Sequence, residues 1–368
     1  MTRRIGLLGG SFDPVHKGHV QIAKYSLKKL KLDELWFIPV LNNPFKDRQM
    51  ASGADRCAML ECVIQDEPRF KICDVELKGN PELKSFTYYT LLYLIDHYPD
   101  TQFYYIIGDD QVAAFDRWYE AEKISQLVTL VCFARKGYEP HYKNIKKYHM
   151  QRLDMKPIKA SSTAIREGDL TQVEPAVIQY FTMHGLYLKD IVKHYMSEKR
   201  YAHTCSMANL AVEIAKANQI DPMKAYVAGM LHDIAKEMPE KKAEKLMQKY
   251  YPEYIDKPQA IWHQWLSSYV AKNTFYVKDK EILQAITNHT TASSKMSLLD
   301  MCIYCADKYD PGRGYDSSRE IALCKKDICE GFKQSLIDFV AFSKQKNRAI
   351  DPIFNEVYET YVKEDRNG

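Results

Sequence analysis

The feature that most constrains this chain is a change of hydrophobic period near its middle. Up to about residue 188, short β-branched or aromatic runs at 4–8, 35–40, 102–107 and 127–133 alternate with segments whose apolar residues recur every three or four positions, at 19–30, 55–65 and 87–97. Strands alternating with helices predict a parallel sheet covered on both faces. Beyond residue 188 no segment reads as a strand. Residues 202–217, 223–235, 280–288, 298–308 and 331–342 all carry the helical period, with Pro222, Pro239, Pro252 and Pro311 marking boundaries. At roughly 150 residues per domain, 368 residues fit two or three domains. The composition shift near 185–189 therefore predicts an α/β domain over 1–188 and an all-α domain over 189–368. No long Gly, Ser or Pro linker separates them, and no internal repeat is visible.

Composition narrows the class of partner. Hydrophobic residues at 46% and charged residues at 27%, with 15 Gly and 15 Pro, exclude collagenous, low-complexity or mainly disordered character. The net charge of +4 divides evenly, 25 Lys/Arg against 23 Asp/Glu in residues 1–188 and 27 against 25 in the remainder. Neither half has the basic excess of a bulk nucleic-acid binder. No apolar run reaches the 18 or so residues needed to span a bilayer, and glycines interrupt the N-terminal apolar stretch before a signal core could finish. Nine cysteines without regular spacing do not describe a secreted disulfide framework. The expectation is a cytoplasmic protein with reduced thiols, no membrane or nucleic-acid partner, and an oligomeric state left open.

The first predicted strand runs directly into Gly9, Gly10, Ser11, Phe12, Asp13, Pro14, Val15, His16, Lys17, Gly18 and His19, which lead into a helix. Neither GxGxxG nor GxxxxGK[ST] is present, yet the chemistry is that of phosphate. Glycines let the backbone approach a ligand closely, and a helix start offers unpaired N–H groups to an anion. His16 and His19, three apart, share a helix face and can donate to phosphate oxygens as charge develops. The bland alternative is a strand-to-helix turn with two surface histidines. Further on, Gly108, Asp109 and Asp110 end a predicted strand, where open α/β sheets bind ligands; the alternative is a turn with solvated acids. Ser161, Ser162 and Thr163 are helix-capping types followed by Arg166, which can pair with triphosphate or simply sit exposed. Trp118 can stack on a flat ring or fill the core.

The eleven-residue string resembles the GxFDPxHxGH signature of the nucleotidyltransferases that adenylylate nicotinate mononucleotide. Ile38, Pro39, Asn43, Pro44 and Lys46 resemble that family's proline-flanked lysine segment, 85–90 its SYTxDT stretch, 107–118 its IGxD followed by a tryptophan, and Ser161 to Arg166 (SSTAIR) its SSTxIR motif. The resemblance implies a Rossmann-like sheet of the HxGH type. It also implies that ATP, with Mg²⁺, is met by Gly9, Gly10, Ser11, Phe12, His16, His19, Lys46, Gly108, Ser161, Ser162, Thr163 and Arg166, and the mononucleotide by Thr87, Asp110 and Trp118. His16, His19, Lys46 and Arg166 would carry catalysis by positioning and charge stabilisation, without a protein nucleophile. Tyr89 departs from the pattern, standing where the family usually has Asp.

In the second half His203, His232 with Asp233, His263, His289 and Asp307 fall on predicted helices. Imidazole and carboxylate suit iron, manganese or zinc, and several helices each contributing one inward ligand can build a one- or two-metal site. Any one of these histidines could equally be core or surface. The order H, HD, H, H, D resembles the HD-domain phosphohydrolases. The strings around Arg200 to Thr204, Leu231 to Lys236, Ile261 to His263, Asn288 to Thr291 and Ala306 to Arg313 resemble the YqeK group, which splits diadenosine tetraphosphate into two ADP at a di-iron-type centre. The resemblance implies that the six residues bind Fe or Mn²⁺, with Asp233 also counted as catalytic, and that Lys236 and Arg313 hold phosphate. Lys308 is unusual there. Cys302 and Cys305, inside a predicted helix with no second pair, are read as buried thiols.

The expectation is a bifunctional enzyme. Its rivals are a different small phosphate acceptor for the first half, such as phosphopantetheine, and a second half that senses a nucleotide without hydrolysing it.

Overall fold

The computed structural model describes residues 2–41, 50–78, 86–135, 137–347, 350 and 352–363. These form two compact units, Met1–Ile165 with Asp169–Val177, and Arg166–Gly168 with Ile178–Gly368. The division falls inside the helix Pro175–Met183, ahead of the composition shift at 185–189.

The first unit is built on six parallel strands, β1 (Arg3–Gly10), β2 (Glu34–Pro39), β3 (Phe70–Ile72), β4 (Thr101–Gly108), β5 (Thr129–Arg135) and β6 (Gln151–Ile158), in the order β3-β2-β1-β4-β5-β6. The middle of β1 (Ile5 to Leu8) and all of β4 after its first two residues are buried, as strands covered on both faces must be, and their apolar runs are accordingly continuous rather than alternating. One face joins Ile5, Leu7, Ile38, Phe103, Tyr105 and Ile107 to Leu91, Leu94 and Ile124 from the covering helices. Because β2 and β3 lie to one side of β1 while β4 to β6 lie to the other, the connections diverge at β1 and β4. Such a reversal opens a crevice at the carboxyl ends of the two central strands. Gly9, Gly10 and Gly108 stand at those ends.

The second unit is helical, with no strand among its described residues. Its first long helix, Glu198–Ala217, begins at Ser197, whose hydroxyl accepts from the Arg200 N–H. The next, Pro222–Leu231, is capped by Asp221 and opens on proline, whose missing N–H costs nothing at that position. The two pack closely because residue 229 is glycine: a Cβ there would approach the Cα of Ala208 to 2.8 Å. Helices His263–Asn273, Lys280–Asn288 and Leu298–Tyr309 complete the frame around the metal-type residues.

Candidate functional sites

In the first unit, the turn after β1 swings Phe12 through a left-handed conformation (φ 48°) and buries its ring to 1% exposure, edge-on to His19 and Phe37. That ring supports His19 from below. His16 caps the helix Lys17–Lys29, and its ring stacks on His19 with centroids 3.7 Å apart. The His16 N–H donates to His19 Nδ1 at 3.2 Å, which leaves the His19 proton on Nε2. His16 is 7% exposed, and its Nδ1 has no hydrogen-bond partner among the described residues. Burial, followed by the nearby Arg135 guanidinium, lowers its pKa to about 4. His16 is therefore neutral at pH 7 and offers a single N–H.

The loop is held by a residue that sequence reasoning missed. Arg56, 2% exposed, donates from Nη1 to the Ser11 carbonyl (2.9 Å) and from Nε to that of Ala51 (3.1 Å), and the Ala51 N–H donates to Asp13 Oδ1 (3.1 Å). A buried arginine in an otherwise amphipathic helix carried no signal of its partners. Ser162 Oγ donates to the Pro14 carbonyl at 2.9 Å, joining the start of the helix Ser162–Arg166 to the glycine turn, and Ser161 Oγ accepts from the Ala164 N–H at 3.1 Å. Thr163 lies in that helix. Arg166 ends it, where residues 166–168 group with the second unit. Lys46, Asn43 and Pro44 lie outside the described residues, as does Ser85.

At the end of β4, a Cβ on Gly108 would meet Asp110 Oδ1 at 2.6 Å, and one on Gly9 would meet the Tyr105 hydroxyl at 2.7 Å. Both glycines thus admit polar groups of the protein itself. Asp109 is fully buried in a two-pronged pair with Arg152 (2.7 and 3.0 Å), so it anchors the turn. Asp110 pairs with Arg135 Nη1 at 2.6 Å, and Arg135 is a second cation on this rim that sequence reasoning overlooked. Thr87 starts the helix Thr87–His97, and its hydrogen bond with Tyr105 ties that helix to β4. Trp118 is half-buried, edge-on to Tyr105 and tilted against Phe115, so its ring packs on the core cluster. Tyr89, in place of the expected acid, hydrogen-bonds the Tyr119 hydroxyl at 3.2 Å and stacks on its ring.

In the second unit the six expected ligand residues converge. His203, His232 and Asp307 present ligand atoms within 4.8 Å of one another, and so do His232, Asp233 and His289. His263 Nε2 lies 3.3 Å from Asp233 Oδ1 and 3.2 Å from His289 Nε2. His232 is fully buried and its Nε2 lacks a hydrogen-bond partner, an unsatisfied donor atom aimed into the cluster. Burial lowers the His232 pKa to about 4 and holds that of His263 well below its ordinary value, so both are neutral, the form that ligates metal. Burial alone would raise Asp233 and Asp307. The charge that the imidazoles carry while protonated, and Arg313 beside Asp307, hold both carboxyls well below the usual range, so the carboxyls ionise before the buried imidazoles lose their protons. Imidazole nitrogens and ionised carboxylates around an unsatisfied nitrogen fit a divalent cation.

The cations expected to hold phosphate are themselves engaged. Lys236 Nζ is 2.9 Å from His263 Nδ1, and Arg313 Nη2 is 2.5 Å from Asp307 Oδ1. Arg200, missed although it lies one turn before His203, donates to Asp233 Oδ2 at 2.7 Å. Thr290 Oγ1, also missed, lies 3.0 Å from Nε2 of both His263 and His289. Lys308 turns to the rings of Tyr304 and Phe339, and Cys302 and Cys305 are buried free thiols.

Two family models match in series, Cytidylyltransferase-like over residues 7–168 and HD domain over residues 200–312. A protein of Mycoplasma genitalium named "Probable nicotinate-nucleotide adenylyltransferase/Ap4A hydrolase" is 31% identical over 90% of this chain and 96% of its own length. Its namesake in Mycoplasma pneumoniae is 30% identical over 88% and 95%. The chain belongs to this adenylyltransferase/hydrolase family. A "Probable nicotinate-nucleotide adenylyltransferase" of Oceanobacillus iheyensis, 37% identical, matches 50% of the chain with 97% of its own length, so the transferase half also occurs in a shorter relative. The HD domain of the adenylyltransferase/hydrolase family implies a divalent metal, consistent with the donor set above. Among the described residues no helix is long and apolar enough to cross a membrane.

Proposed function

We propose that the chain catalyses two reactions: adenylyl transfer from ATP to nicotinate mononucleotide, and metal-dependent symmetrical hydrolysis of diadenosine tetraphosphate. The observation that carries this reading is the match to two relatives over 95–96% of their lengths, which includes both halves. We assign transfer to residues 1–188 and hydrolysis to 189–368.

In the transfer, an oxygen of the mononucleotide 5′-phosphate attacks the α-phosphorus of ATP. The bond from that phosphorus to the bridging oxygen of the β-phosphate breaks, and pyrophosphate leaves with Mg²⁺. The attacking phosphate is already ionised, so no protein base is needed. His19 Nε2–H and the N-terminus of the helix Lys17–Lys29 face the charge that develops, with neutral His16 stacked beside them. Lys46 and Arg166 complete the phosphate contacts, while Thr87, Asp110 and Trp118 receive the mononucleotide. Arg135 sets Asp110 in place.

For hydrolysis, His203, His232, His263, His289, Asp233 and Asp307 would hold Fe or Mn²⁺. When bound, that group supplies Lewis acidity toward a phosphoryl oxygen and activates water at neutral pH. Arg200 fixes the outer oxygen of Asp233, and Arg313 fixes Asp307, so both carboxylates keep one orientation. Lys236 and Arg313 supply the positive charge that a tetraphosphate requires.

The test is to purify the full chain without oxygen and supply each substrate pair separately, resolving products by chromatography. Deamido dinucleotide with pyrophosphate, and ADP alone from diadenosine tetraphosphate with ferrous or manganous ion, are the expected products. ATP plus AMP would overturn symmetrical cleavage. Metal bound without turnover would favour a sensing role, and faster transfer to phosphopantetheine would overturn the acceptor.

A further inference from the structure

Four histidines meet in the HD cluster, and three are oriented in the same way. His232 Nδ1 bonds the Gly229 carbonyl (2.7 Å), His263 Nδ1 that of Ala260 (3.0 Å), and His289 Nδ1 that of Ile286 (2.6 Å). Each uses the carbonyl three residues earlier. A carbonyl only accepts, so the pairings of His232 and His289 put the proton on Nδ1 and turn Nε2 inward as the ligating atom, while His263 Nδ1 also lies 2.9 Å from Lys236 Nζ, which only donates. His203 is different: its Nδ1 lies 2.7 Å from Asp310 Oδ2, a carboxylate oxygen, while its Nε2 faces Asp307 Oδ1 at 3.1 Å.

Asp310 is fully buried, and among the described residues it meets the ligand cluster through His203. Its other oxygen accepts from the Ser206 hydroxyl, one turn along the helix from His203. The turn that follows leaves room for it, because a Cβ at Gly312 would come within 2.9 Å of Asp310 Oδ2. A buried carboxylate, a hydroxyl and a glycine are thus arranged around one ring nitrogen.

We propose that Asp310 is a positioning residue that, through His203, makes the His203/His232/Asp307 position the tighter of two unequal metal positions. A carboxylate accepts the Nδ1 proton more strongly than a carbonyl does, raising electron density on Nε2 and fixing the ring. His232 is common to both ligand groups but has a single ligating Nε2, whereas His203 belongs to the His203/His232/Asp307 group alone, so Asp310 acts at that position. The inference rests on reading the cluster as a metal centre.

The experiment titrates Mn²⁺ into full-length wild type, Asp310→Asn and Gly312→Ala, reading bound metal by equilibrium dialysis and paired against isolated ions by electron paramagnetic resonance. Gly312→Ala displaces the carboxylate without removing it, and circular dichroism of the metal-free variants checks folding. Wild type should bind two ions with unequal affinity. Both variants should weaken the tighter ion by 10–100-fold, leave the other within about twofold, and lose the paired signal. Two ions bound equally well by wild type and variants, or both ions weakened alike, would overturn the role of Asp310 while leaving the metal centre standing. No metal bound by wild type would overturn the metal centre itself.

Discussion

At the residue scale, His16 shows how position rewrites chemistry. Its neighbour in the motif, His19, is held by the edge-on Phe12 ring and by the His16 backbone N–H, which donates to its Nδ1. His16 is buried beside Arg135, so its proton leaves at about 4. The unfolded chain binds that proton near 6.5, so between these values the unfolded state holds more protons. Stability contributed by neutral His16 is complete above pH 6.5, falls as pH drops toward 4, and levels off below. The full effect is about 3 kcal/mol. Imidazole NMR, assigned with His16→Gln, should show a midpoint near 4, and the variant's stability should depend less on pH between 6.5 and 4. A midpoint at 6.5 would show that the ring is solvated.

At the scale of elements, Gly229 sets how closely the helices bearing His203 and His232 approach. Gly229→Ala pushes a methyl against the Ala208 backbone, so a loss of about 1–3 kcal/mol in thermal or denaturant unfolding is expected, together with weaker metal binding. Unchanged stability would mean that the helices part freely. Such close approach was not legible in the sequence, since a glycine inside a helical pattern does not name its neighbour. The periods themselves were legible: 87–97 and 280–288 are helices with those bounds, and four strands stand within two residues of their expected ends. β3 and β6 were missed for different reasons. β3 has three residues, too few to show a period, and β6, QRLDMKPI, is a polar edge strand containing a proline, which central strands exclude. The expected helix at 223–235 stops at Leu231, with His232 as its C-cap. The ligand residues were legible as types in order. The supporting roles of Asp310 and Arg200 there, and of Arg135 and Arg56 in the first unit, were not, because each is paired across tens of residues or more with a group that only the fold brings near.

At the scale of the whole molecule, two centres of different chemistry reside in one chain, and they should fail separately. His232→Ala or a chelator selective for transition metals should abolish hydrolysis of diadenosine tetraphosphate, while transfer with Mg²⁺ keeps its wild-type rate. His19→Ala should lower transfer by at least about 100-fold and leave hydrolysis intact. Steady-state assays of both reactions on each variant check this. Loss of transfer in His232→Ala would show that the centres depend on each other.

His232 and His289 each stand immediately after the last turn of a helix, Pro222–Leu231 and Lys280–Asn288. The carboxyl end of a helix carries partial negative charge, so two such ends, with Asp233 and Asp307, gather at one buried place. Arg200 and Arg313 already balance the two carboxylates, and a divalent cation bound between the helix ends would tie them together. Metal should therefore act as a folding ligand of the second unit, raising its melting temperature with concentration. A melting curve can then rank candidate ions before any substrate is added.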